Sequence, residues 1–228
     1  MARISMPTPP QGWAALAWEV SVVFFGIVLA LAADQLVDGA YWNKQVRDFR
    51  SALAVEIGTT LGTYEYRHRQ DACADKRLAE LENWWQQWQD GEGQPLRRPI
   101  GLPLSLAIPT SVWGSRTADI TGHLSLRQRL VYARLYDEIA NNNSHRLAER
   151  DAWLQLASYE GVRNLDQQDL VRIRGLLNQA RQRQAWFNIN SARVRRYASE
   201  LDIRPHWDPT WVKPGDALCR PVLVRSAS

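Results

Sequence analysis

Residues Trp13–Ala33 read WAALAWEVSVVFFGIVLALAA, and no other stretch restricts the fate of the chain as strongly. These 21 residues carry one charge, Glu19. As a helix they rise about 31 Å, the hydrocarbon thickness of a bilayer. The uninterrupted apolar core, Val20–Ala33, has 14 residues. That core alone rises only about 21 Å, so a full span needs Trp13–Trp18 in the membrane or at its surface. Trp13 and Trp18 at one end, and Tyr41 and Trp42 beyond the other, suit interfacial belts. Asp34 and Asp38 mark the exit. The expected organisation is a short tail, 1–12, and a single-pass anchor, 13–38, which makes membrane lipids the first partner. Two readings compete with the anchor. One is a cleaved signal peptide, for which Ala30-Leu31-Ala32 offers an A-x-A site. The other is a core helix of a soluble domain. Against cleavage, the stretch ahead of the apolar core is long, contains tryptophan, and has Arg3 as its one positive side chain.

Within the anchor, Glu19 reads either as a carboxylate that bonds a partner helix or as an interfacial residue reaching the headgroups. Gly26, Ala30 and Ala33 lie on one helix face as a small-residue stripe, which lets a second helix approach. Lys44, Arg47 and Arg50 favour a cytoplasmic C-side, but long domains escape that charge rule.

These residues resemble an uncharacterised group of bacterial single-pass membrane proteins. The resemblance rests on Glu19-Val20, then Gly26-Ile27-Val28-Leu29-Ala30-Leu31, then Asp34-Gln35 and Trp42-Asn43-Lys44. A second stretch is similar: Trp113, then Ile120-Thr121-Gly122-His123-Leu124-Ser125-Leu126, then a helix carrying Leu135-Tyr136. It covers residues 13 to 140. Trp42 comes later than the group's pattern, and the arginine-rich, proline-containing C-terminus has no counterpart in it. The resemblance implies an inner-membrane protein with a helical domain in the periplasm. It implies no reaction and no catalytic residue.

Beyond the anchor the apolar spacing is helical. Val46, Phe49, Leu53, Ile57, Leu61 and Tyr64 form one stripe, weakened by Gly58 and Gly62. Leu78, Leu81, Trp85 and Trp88 continue it, and Asp90-Gly91-Glu92-Gly93 should stop it. Four prolines between 90 and 112 predict an extended loop packed along helices, and the most plausible stretch for a partner contact. Ser125 is expected to cap a helix stopped by Asn141-Asn142-Asn143. A further helix should cover His145–Tyr159. Asp166 should cap a long one to Leu201, with Pro205 ending it. The fold class is therefore all-α: an antiparallel bundle of about four long helices over 39–204, with a tail, 205–228.

Candidate chemistry is sparse. No H-x-x-x-H pair, Walker loop, G-x-S-x-G or dinucleotide fingerprint occurs, so no catalytic, cofactor or metal residue is assigned. His68 and Asp71 could share a helix face. Trp84, Trp85 and Trp88 form an aromatic cluster. Read functionally it is a contact platform for a partner or ligand; read structurally it is core, with Trp84 pointing away from the face of the other two. Residues 163–225 hold twelve basic against six acidic side chains, and residues 1–162 carry a net of −2. That basic helix suits anionic headgroups or, less well, nucleic acid, unless acidic neighbours neutralise it. Cys73, expected mid-helix, and Cys219 are either a disulfide pinning the tail, in an oxidising compartment, or two unrelated thiols.

The functional expectation is a non-enzymatic interaction or assembly module, binding a protein partner or a second copy on the extracytoplasmic side of the inner membrane. Two others compete: a cytoplasm-facing arginine-rich domain binding anionic lipid or nucleic acid, and a surface enzyme on a lipid or glycan. Neither a small-molecule ligand nor a cofactor is readable.

Overall fold

The computed structural model describes residues 12–207 and 217–222. The fold is all-α, with no strand among the described residues. Its helices are α1 (Trp13–Arg69), α2 (Asp71–Gln89), α3 (Ser111–Gly114), α4 (Ala118–Gly122), α5 (Leu126–Ala157) and α6 (Gln167–Glu200). The chain falls into two compact units, Met1–Phe49 and Arg50–Ser228.

The first unit holds the start of α1. An 18-residue window there has a mean hydropathy of 2.2, and none of it is buried. By length and composition this helix can cross a membrane.

The second unit is a bundle. The last turns of α1 bury Leu53, Ile57, Leu61 and Tyr64 at helical spacing. Gln70 interrupts the stripe that the sequence pattern carries through to Trp88. It keeps right-handed helical dihedrals (φ −91°, ψ −7°) and no side chain caps the new helix. α2 ends at Gln89, and Gly91 takes φ +79°, the left-handed conformation that glycine adopts readily after a helix. α5 runs parallel to α1: Tyr136 pairs with Glu56 and Glu149 with Arg67. α6 returns antiparallel, with Arg181 on Glu82 and Gln184 on Asp75 of α2.

Two parallel helices need a long connection, and residues 92–110 supply it. The Leu104 N–H donates to the Gln70 side chain (2.8 Å) and the Val112 N–H to Glu56 (2.9 Å), so the segment runs back along α2 and α1. Leu96 and Ile100 drop from it into the core of α2, α5 and α6. The expected stop at Asn141-Asn142-Asn143 does not occur. α5 passes through it, because Asn142 is fully buried at the packed face and Asn143 accepts from Arg146 one turn on. Ser125 and Asp166 cap α5 and α6 with reciprocal capping boxes.

Gly58 and Gly62 form a notch rather than a flaw. The segment after α6 crosses α1 there: the His206 N–H donates to the Gly58 carbonyl (2.8 Å). A Cβ on Gly62 would overlap the His206 carbonyl. Trp207 then stacks on Tyr66, with centroids 4.9 Å apart.

Candidate functional site

Glu19, Gly26, Ala30 and Ala33 all stand exposed on α1. A Cβ on Gly26 would meet nothing within 4 Å. The small-residue face is thus uncovered by the described residues. So are its neighbours Phe24, Phe25 and Leu29, which are 62%, 63% and 69% exposed.

The tryptophan cluster is packed inside. Trp84 is 1% exposed and its indole N–H donates to the Gln94 carbonyl (2.7 Å); Trp85 is 6% exposed and donates to the Leu170 carbonyl (2.8 Å). The expected orientation is corrected. Trp84 is the most buried of the three, while Trp88 is half-buried against Gly93. The return segment over 92–100 covers Trp84, a neighbour that helical spacing alone does not reveal. Arg174 lies over the Trp85 ring at 5.5 Å. Neither Trp84 nor Trp85 offers a free face for stacking.

A polar node joins four helices. Arg67 donates to Glu149 (2.6 Å) and to Asp71 (2.7 Å), and lies 5.5 Å over the Phe187 ring. His68 contacts Asp71 through Nδ1 (2.9 Å) and Ser191 through Nε2 (2.8 Å). Burial pushes the Glu149 carboxyl above the usual carboxylate range, against the charge and hydrogen bond of Arg67. The Asp71–His68–Ser191 distances are those of a nucleophile–base–orienter set. The surroundings differ. Ser191 is fully buried, and its hydroxyl donates to the Asn188 carbonyl (3.0 Å). Within α6 its neighbouring backbone N–H groups are committed to the helix, and the Arg195 guanidinium comes within 3.5 Å of His68 Nε2. The node cross-links α1, α2, α5 and α6. Sequence reasoning finds His68 with Asp71 but not Ser191, which lies 123 positions away from His68 with no motif around it.

A second node holds the C-terminal segment. The Cys73 and Cys219 sulfurs are bonded, with Cα atoms 4.8 Å apart. Cys73 is at the start of α2 rather than mid-helix, because α1 ends at Arg69. One turn on, the Arg77 guanidinium, 1% exposed, donates to the carbonyls of Pro99 (3.2 Å), Ala217 (3.1 Å), Leu218 (3.1 Å) and Arg220. Glu80 pairs with Arg77 (3.2 Å) and accepts from the Val222 N–H (3.2 Å). Burial lowers the Arg77 pKa, and Glu80 opposes that shift. This arrangement seats Leu218 and Val222 in the core. Trp211 and Lys213 lie outside the described residues.

Among the described residues, no group of three or more His, Cys, Asp or Glu side chains is placed to hold a metal ion. Several arginines of the basic helix are engaged by neighbours: Arg181 by Glu82, Arg193 by Glu138, Arg172 by Gln155 and Arg183 by His145. No family model, curated protein or solved structure matches the chain.

Proposed function

We propose that this chain is a membrane-anchored helical module that acts by binding, with its helical unit outside the cytoplasm of a bacterial cell. One observation carries the reading: the most apolar stretch of the chain is helical and uncovered. A core helix of a soluble domain would be buried by its own chain. An exposed apolar surface of this extent needs lipid or another helix against it.

The side of the membrane is argued from Cys73–Cys219, since disulfides persist in oxidising compartments. The Lys44, Arg47 and Arg50 excess points to the other side, but it precedes a unit long enough to escape the charge rule. The case for binding rests on how the polar side chains are used. Arg67, Glu149, Arg77 and Glu80 are committed to holding helices and tail together. The partner is a second protein or a second copy of this chain.

Alkaline phosphatase fused to the C-terminus tests the placement. The expected result is an active fusion, with both cysteines resistant to maleimide until reduced. An inactive fusion alongside a productive cytoplasmic reporter overturns it. Co-purification in mild detergent tests binding: a stoichiometric partner or a dimer supports the module, and a solitary monomer after cross-linking in intact cells contradicts it.

A further inference from the structure

The outward face of α5's first turns sets exposed leucines among exposed arginines. Leu126 and Leu130, one turn apart, are 64% and 48% exposed. Arg127, Arg129 and Arg134 are exposed around them and form no ion pair among the described residues. The core-facing residues of the same turns, Val131, Tyr132 and Leu135, lie opposite, so the leucines are not fragments of the core stripe. Asp137, a turn further on, is the nearest acid on that face. Arg181 and Arg193 on α6 pair with Glu82 and Glu138, whereas the three arginines beside the two leucines form no ion pair among the described residues.

We infer that this face, the exposed side of α5 from Leu126 to Arg134, docks on an anionic phospholipid surface. The inference rests on the anchored reading above. Guanidinium groups answer lipid phosphates, and leucines between them can sink just below the headgroups. Position supports the same occupant. The Arg50 guanidinium lies beside the Tyr132 hydroxyl, so the first turns of α5 are at the end of the unit where the chain arrives from its anchor. Sixteen residues of α1 separate Ala33 from Arg50, a helical rise of about 25 Å. A tethered basic surface meets the bilayer at high effective concentration, so individually weak contacts suffice. An acidic protein could answer the arginines as well, but the anchor keeps this face close to a bilayer, which favours lipid.

The test uses the full chain with one added cysteine, Leu130→Cys, carrying a polarity-sensitive fluorophore; Cys73 and Cys219 are already bonded. The protein is reconstituted into vesicles of phosphatidylcholine, with or without phosphatidylglycerol, and quenched by a spin label near the headgroups. The expected result is quenching on the order of threefold stronger on the anionic vesicles, lost at high salt. Reversing Arg127, Arg129 and Arg134 to Glu should abolish the difference, and Lys at all three should keep it, with unchanged circular dichroism in both variants. Equal quenching on both vesicle types, or a difference that survives charge reversal, overturns the inference while leaving the anchor intact if the protein still floats with vesicles. Shielding of the label by an acidic protein but not by lipid also overturns it. Failure to float with either vesicle type removes the anchor and the inference together.

Discussion

Removing the bond between Cys73 and Cys219 isolates what the C-terminal segment contributes. The bond spans a sequence separation of 146. On loop-closure entropy alone, a loop of that size disfavours the unfolded chain by about 5 kcal/mol. A Cys73→Ser/Cys219→Ser variant returns that freedom to the unfolded state. The folded side loses little at first, because Arg77 still holds the Ala217 and Leu218 carbonyls and Glu80 still holds Val222. If the segment leaves as well, Leu218 and Val222 each forfeit about 2 kcal/mol of burial. The assay is urea unfolding of the full chain in mild detergent, followed by tryptophan fluorescence. With a slope of about 2 kcal/mol per molar, a loss of about 5 kcal/mol lowers the midpoint by about 2.5 M. Coincident midpoints for the variant and the oxidised wild type would refute the reasoning, since neither the loop nor the clamp would then be contributing.

Gly62→Ala should destabilise the helical unit by about 1–3 kcal/mol through overlap with His206. Gly26→Ala, which meets nothing in the chain, should leave the same thermal melt unchanged. Glu149→Ala strands the buried Arg67 with Asp71 alone and should cost about 3 kcal/mol by urea titration. Glu149→Gln keeps an acceptor and should cost less. His145 has its pKa lowered from 6.5 by burial and then by Arg183, so its imidazole should titrate below 6.5 by NMR and move back up in Arg183→Gln. Its contribution to stability is present above 6.5 and lost as pH falls through the folded value, because the unfolded chain takes the proton first.

The caps were the most legible part of the fold. Ser125, Asp166 and Gly91 act through chemistry local to a few residues, and α5, α6 and the end of α2 begin or stop where that chemistry dictates. The break at Gln70 has no such signature, since its backbone stays right-handed. Asn141–Asn143 misled for the opposite reason: their weak helix preference is overridden by burial of Asn142 between packed helices. Gly58 and Gly62 read locally as helix weakeners, and only the crossing of His206 explains them. The site residues divide likewise. The exposure of Glu19, Gly26, Ala30 and Ala33 follows from the apolar run itself, because an uncovered helix needs no tertiary information. The bond of His68 to Ser191 and the grip of Arg77 on the tail join parts of the chain more than a hundred positions apart, and no spacing rule reaches that far.

The central claim is that the uncovered apolar stretch of α1 belongs in lipid. Flotation of the intact chain with vesicles on a density gradient, after an alkaline carbonate wash, tests it most directly. The account predicts that all of the protein rises with the lipid and stays there. Protein that remains at the bottom, monodisperse without detergent and with residues 13–33 still attached, would contradict it.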